Sequence, residues 1–447
     1  MQANTQSQRY CTTFNFAHPH PSPPTTLKFF NRNPTKYFYN QKLTTITQNL
    51  VAFLFPQNLT NIFQNCITTY VDKFANFEGA KQSNMEIDEK LKDNILIVGG
   101  YGKVGGIISR HLAQIYPEKI IVAGRSFEKA KKMSETLDHN VIPYHLDICN
   151  QTDGAFLENT KLVIMCIDQK DTKFVELCIE KGVHYTDITA NQYFIEQIER
   201  LDKKAKLKNV AVTLSIGLAP GITNLLAQHC ANQISGTTLI DIFILLGIGE
   251  KHGAGAYRWT FDNIHSSYNI DENSKTKRIK SFTLPKENNL VGKRKFYTFN
   301  FSDQHTLVKT INTRQILTRM AFDSKIFTSS VALLRKVGLT KIFSNRKVQD
   351  IFIYLFQKIS VGSDIFAVKA VAENAQNERY EYSLEGKGEG KTTAYVAVET
   401  ALYIMQNNLS YGVRHIHQIV ENIPEFLENL KRYDSTIEIK TQQYSQQ

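Results

Sequence analysis

The stretch Asn94–Gly106, NILIVGGYGKVGG, sets a continuous apolar run directly against a cluster of glycines. An apolar run with no polar alternation reads as a strand covered on both faces. The glycines break it, and a helical pattern, KVGGIISRHLAQIY, follows at once. The rhythm then repeats. KIIVAG, NVIPYHLDI, KLVIMCI, HYTDIT and VAVTLSIG read as strands. The helical segments SFEKAKKMSETL, KDTKFVELCIEKG and QYFIEQIERLDKKAKLKN lie among them. Buried strands alternating with helices predict a doubly wound parallel sheet of Rossmann type from about Asn94 to Gly217.

Beyond Ala219 the pattern changes. GITNLLAQHCANQI reads as a helix opening at the Pro220–Gly221 turn. TTLIDIFILLGIG, KRIKSFTL, RKFYTFNF, IFAVKAVAE and RYEYSLEGKG read as strands, the last four with the alternation of half-exposed antiparallel strands. A helical stretch over Thr328–Gln357 interrupts them, and KTTAYVAVETALYIMQNN predicts a long return helix. The fold class is therefore α/β. The expected parts are a Rossmann domain over 85–220, a mixed α/β domain with a largely antiparallel sheet over 221–390, a return helix and C-terminal segment over 391–430, and a frayed polar tail over 431–447.

Residues 1–84 are different in kind. The first 71 contain no Asp or Glu and six of the eleven prolines. A disordered or spurious extension ahead of a start at Met85, a targeting segment and a small domain all remain open. Transit peptides are acid-poor too, but here the prolines oppose an amphipathic helix. The rest is only mildly basic, without the basic stripe and aromatics of a nucleic-acid module, so no nucleic-acid partner is expected. No apolar run approaches about 20 residues, so no membrane span and no membrane partner are expected. The six cysteines form no CxxC pair or metal-type cluster, which fits a reducing, cytoplasmic setting and no metal.

Gly100-Tyr101-Gly102-Lys103-Val104-Gly105 is a GxGxxG between a strand and a helix. In that context Gly100 allows the tight turn, Gly102 close approach to a pyrophosphate, and Gly105 helix–strand packing. Twenty residues past Gly105, where an NAD site usually has a carboxylate, stands Arg125 followed by Ser126. A guanidinium and a hydroxyl there suit a 2′-phosphate. Lys129 lies one helical turn further. NADP(H) is thus expected over NAD(H), with Asp147 toward the adenine side.

Taken together, GGYGKVGGIIS, VAGRS, CIEKGVHYTDIT and GLAPGITNLLA resemble the saccharopine dehydrogenase-like family, which includes saccharopine reductase and carboxynorspermidine dehydrogenase. The resemblance covers about Asn94 to Asn408. It implies a cleft between the two domains, a homodimer, and hydride transfer between NADP(H) and a secondary amine or imine joining an amino acid to a carbonyl compound. One turn departs. Many relatives carry a Gly-Pro-Phe type turn after the fourth strand, where this chain has CIDQKDT, Cys166–Thr172. That departure favours a competing reading, a non-catalytic dinucleotide-binding sensor or adaptor.

Imine reduction needs a proton source and cationic anchors for substrate carboxylates. The C-terminal strand ends place Cys166, Asp168, Tyr185, Asp187 and Thr189 near the cleft. Asp187 is the acid–base candidate, with a capping role as its alternative. Cys166 and Tyr185 are further catalytic candidates, though Tyr185 also suits packing. Arg258 beside Trp259, and Arg319, are candidate anchors from the second domain. Gly221 and Thr223 open another helix and form a second candidate anion site. No Ser-His-Asp set is visible in the sequence.

Overall fold

The computed structural model describes residues 92–150, 153–251, 253–272, 275–358, 362–407 and 409–444. The readings for residues 1–84 lie outside them. Strands β1 (Asn94–Val98), β2 (Ile120–Gly124), β3 (Val141–His145), β4 (Thr160–Met165), β5 (His184–Asp187) and β6 (Ala211–Leu214) form the first sheet. Every pairing in it is parallel. Successive residues of β1 serve opposite cores. Ile95 and Ile97 pack with Ile108 and Leu112 of the helix Lys103–Ile115, whereas Leu96 and Val98 pack with Val175 and Ile195 on the other face. This is why the run shows no alternation: each face of the pleat is covered.

The second sheet is built from β7 (Thr237–Leu246), β8 (Ser267–Glu272), β9 (Lys275–Lys280), β10 (Lys286–Asn289), β11 (Lys293–Thr298), β12 (Gln315–Phe322), β13 (Ile365–Asn374) and β14 (Arg379–Lys387). It is largely antiparallel, with β7 and β12 as its parallel pair. β13 is buried along most of its length rather than half-exposed. The helix Thr223–Gln233 and the sheet neighbours cover it. GAYRWTFDN belongs to a helix, Ala254–Ile264. Tyr257, Phe261 and Ile264 recur on its inner face at helical spacing.

The return helix Glu389–Gln406 packs on Lys103–Ile115, and β15 (Gly412–His415) then joins the first sheet beside β6. The sheet order is β15-β6-β5-β4-β1-β2-β3. Its direction of winding reverses between β1 and β4, which opens a crevice at their carboxyl ends. The C-terminal tail is not frayed over its described length. β16 (Glu438–Tyr444) pairs with β14 as an edge strand, its backbone bonds compensating for a polar, exposed sequence.

Candidate functional site

The crevice begins at the glycine turn. The positive φ that ends β1 belongs to Gly99, at +81°, one residue before the predicted motif. Gly99 therefore makes the turn that was expected of Gly100. Gly105 lies so close that a Cβ would sit 2.3 Å from Gly99 O, so only glycine lets the helix start beneath the turn. No side chain caps that helix and its first turn has no acid. The N–H groups of Lys103, Val104 and Gly105 are therefore turned outward with the positive end of the helix dipole, as a pyrophosphate requires. Tyr101, Gly102, Lys103, Val104 and Gly105 line a groove of about 730 Å³ together with Gly124, Arg125, Asp147 and Ile148.

At the end of β2 the Tyr101 ring lies against Gly124, where a Cβ would come within 2.4–2.7 Å of it. The Tyr101 hydroxyl accepts from the Ser126 N–H at 3.1 Å, which fixes the turn carrying Arg125. The Arg125 side chain is exposed in the groove and has no hydrogen-bond or ion-pair partner among the described residues. Ser126 differs from expectation. Its hydroxyl accepts from the Lys129 N–H and caps the helix Phe127–Thr136, and Ser126 does not line the groove. Asp147 lines it, and its carboxylate is shared with the Cys149 N–H and the Asn150 amide. An uncapped helix start, a glycine cradle and an unpaired guanidinium fit a nicotinamide dinucleotide with a 2′-phosphate.

Past the groove, Cys166, Ile167, Asp168, Gly255, Ala256, Glu389 and Thr393 also line a second cavity of about 990 Å³. Asp187 forms part of its wall, at the carboxyl end of β5. Its Oδ2 accepts from the Tyr185 hydroxyl at 2.6 Å and from Gln169 Nε2 at 3.0 Å. Its Oδ1 accepts from the Thr189 N–H at 2.8 Å. Burial raises this carboxyl to about pKa 7 despite those three donors, which pull the other way. Cys166 is pushed up as well, by burial and then by the Asp187 charge, so it is a thiol and not a nucleophilic thiolate at neutral pH. Tyr185 is fully buried and lines neither cavity; it holds Asp187 rather than facing a reactant. His184, on the opposite side of the strand, accepts from the Ala211 N–H and is structural. Gln169 comes from the divergent 166–172 turn and had no signal in the sequence beyond its position there.

The expected anchors are placed differently. Arg319 sits on β12, almost fully buried in an ion pair with Asp241, which also accepts from Lys286 at 2.6 Å. It lines neither cavity. Thr223 is buried away from both, and the Gly221 N–H at that helix start already donates to Asn224 Oδ1 at 2.9 Å. The second anion site is therefore filled from within. Arg258 does line the larger cavity, but its guanidinium is paired with Asp350 at 2.7 Å. Glu250 was not foreseen. It accepts from the Glu389 and Gly390 N–H groups at 2.5 and 3.0 Å and so caps the return helix. Lys103 reaches across to it, 3.7 Å away, and donates to the Lys251 carbonyl.

The fold also assembles a serine–histidine–carboxylate relay that the sequence did not reveal. Ser215 Oγ lies 2.9 Å from His415 Nδ1, and His415 Nε2 lies 3.1 Å from Glu199. Two hundred residues separate the first pair, so only the pairing of β6 with β15 brings them together. Ser215 is fully buried and touches neither cavity, so the relay ties strand ends rather than meeting a substrate.

Residues 95–213 match the family described as the saccharopine dehydrogenase NADP binding domain. Over 128 residues the chain is 26% identical to a glutamyl-tRNA reductase from Francisella philomiragia; the match takes in 26% of this chain and 30% of that protein. The chain therefore spans less than a third of that relative's length. An apo saccharopine dehydrogenase (L-Glu forming) from Saccharomyces cerevisiae is similar over 78% of this chain and 100% of that one, with a TM-score of 0.53 at 14% identity. That likeness is one of fold. Among the described residues no helix is long and apolar enough to cross a membrane.

Proposed function

We propose that this chain, whose nucleotide domain is saccharopine dehydrogenase-like, is an NADP(H)-dependent oxidoreductase that transfers hydride to or from a carbon–nitrogen bond. The groove residues would hold the dinucleotide: Lys103, Val104 and Gly105 N–H groups at the pyrophosphate, Arg125 at the 2′-phosphate, and the Cys166–Gln169 turn at the nicotinamide end. A bound nicotinamide supplies the hydride. The observation that carries the reading is Asp187, a buried carboxyl raised to about pKa 7 in the wall next to that end. A group poised there can give a proton to a substrate nitrogen in reduction and take it back in oxidation. Oδ2 already accepts from both Tyr185 and Gln169, whereas Oδ1 accepts only from the Thr189 N–H, so Oδ1 would be the oxygen that exchanges the proton. Gln169 belongs to the divergent turn, which supports a rebuilt catalytic site over a sensor that has lost one.

The test is a panel of cyclic imines and imine-forming amine and carbonyl pairs, assayed with NADPH and NADH. Oxidation of NADPH with one imine class, faster than with NADH, is expected. Saturable NADPH binding with no turnover across the panel favours the sensor.

A further inference from the structure

We infer that the substrate of this site is an apolar amine or imine without carboxylates, an inference that rests on the hydride-transfer reading. The wall of the larger cavity is aromatic. Trp259, Phe301, Phe322, Phe327 and Phe356 come from four separate segments and converge on it. Trp259 lies 5.2 Å from Phe301 by ring centroids, and Phe327 lies 6.5 Å from Phe356. A cavity of about 990 Å³ is large enough for a drug-sized apolar group.

Charge sharpens the choice. The cavity is lined by two arginines, and each is already neutralised: Arg258 by Asp350, and Arg346 by Asp262 at 3.0 Å. Five acidic side chains line the same space; Asp262 is spent on Arg346 and Glu250 on Lys103 and the return helix, while Asp168 and Asp187 stand at the nicotinamide end. A dicarboxylic amino-acid adduct would bring anions to a site with acids and no uncommitted cation among its described residues. Burying such charges unpaired is strongly unfavourable. A neutral imine is matched instead: the cation formed when Asp187 gives up its proton faces Asp168 and the resulting Asp187 carboxylate, and the apolar body lies among the rings.

Trp259 is the single tryptophan of the chain, so intrinsic fluorescence reports occupancy of this wall. The full chain would be titrated with cyclic imines bearing methyl, butyl, hexyl and octyl groups, and with lysine plus 2-oxoglutarate as the polyanionic control. Saturable quenching by the imines is expected, with affinity rising about fourfold per methylene until the cavity is filled. Phe356→Leu should flatten that rise while leaving NADPH affinity unchanged. Quenching by the control alone, an affinity independent of chain length, or no quenching by either overturns the proposal. Quenching with the expected slope but no NADPH oxidation upholds the substrate class and counts against hydride transfer, so the two failures are distinct.

A separate observation concerns the outer face of the helical excursion 325–358, whose inner face supplies Phe327 and Phe356. Ile326 and Leu333 of the helix Lys325–Lys336, and Val337 at its C-cap, follow one outward stripe. Ile351, Tyr354 and Leu355 follow one on Arg346–Lys358. All six are exposed, Ile326 by 82%. Of the seven Lys and Arg in the segment, Arg335 is buried and Arg346 is paired with Asp262, whereas the five lysines are exposed; the one acid, Asp350, is itself paired. A two-fold contact between copies would set this face against itself and oppose like charges. An apolar face rimmed by cations is complementary to an anionic lipid surface. We propose that the excursion docks the chain on anionic membranes without crossing them. Co-sedimentation with vesicles of phosphatidylcholine and phosphatidylserine should retain the chain, and phosphatidylcholine alone should not. The double variant Leu333→Glu, Ile351→Glu should release it with its melting temperature preserved. No retention on anionic vesicles, or a homodimer in solution that the same variant dissociates, overturns this second proposal.

Discussion

The Tyr185 hydroxyl donates to Asp187 Oδ2 across 2.6 Å, from two residues earlier on the same strand. The period of two along β5 puts both side chains on one face. Tyr185 is anchored in the core and Asp187 stands where the strand opens into the cavity. The pair delivers a fixed carboxyl to the site without a loop to position it.

The first prediction follows from the Asp187 carboxyl titrating near 7 in the folded chain, above its ordinary 3.8. A raised pKa means that the proton favours folding. The stabilising contribution is complete below about pH 4, declines as pH rises, and is lost above the folded value of about 7. Melting temperatures of the wild type and Asp187→Asn should therefore diverge between those limits, the variant gaining relative stability as pH rises, and then run parallel. A constant difference across the range would contradict a raised carboxyl.

Tyr185→Phe tests the positioning role. The hydroxyl lowers the Asp187 pKa by bonding its charged form. Its removal should move the midpoint of the pH–rate profile upward, while NADPH affinity stays the same. A lower rate with an unmoved midpoint would assign Tyr185 to packing alone.

Coenzyme choice rests on Arg125. Arg125→Asp should cost about 1.5–3 kcal/mol in NADPH binding, the scale of a hydrogen bond to a charged group. NADH binding should change far less. Equal weakening of both dinucleotides in calorimetric titration would remove the 2′-phosphate from its role.

The glycine turn makes a graded prediction. A Cβ at Gly105 meets Gly99 O at 2.3 Å, whereas one at Gly102 meets it at 3.1 Å. Gly105→Ala must displace backbone and should destabilise the chain by about 1–3 kcal/mol. Gly102→Ala should be milder in stability. Thermal melts of the two variants check the order, and the reverse order would show that the turn is not close-packed.

The parallel sheet and the nucleotide loop were legible because their signals are local: apolar runs, helical periods, glycines at fixed offsets. Asp187 was legible for the same reason, as the last polar residue of a buried strand. The tight turn was assigned one residue late because Gly99 and Gly100 are adjacent and no local pattern says which of them takes the positive φ. Arg319 was mistaken for an anchor because its partner Asp241 lies on β7, 78 positions away. The strands β8, β10, β12, β15 and β16 were missed. β10 and β16 are polar, and each is a strand because of its neighbours rather than its own side chains. The aromatic wall was hidden for a related reason: its rings are ordinary core residues until four segments meet.

The most direct measurement is single-turnover oxidation of NADPH by the octyl-bearing cyclic imine, followed across pH for the wild type and Asp187→Asn. The wild-type rate should fall as pH rises through about 7, where Asp187 loses its proton. The variant should be slower by about 10²–10⁴-fold, with a flat profile and unchanged NADPH affinity. A variant that keeps more than about half of the wild-type rate at every pH would contradict the account, because general acid–base catalysis of that size would then have to reside elsewhere.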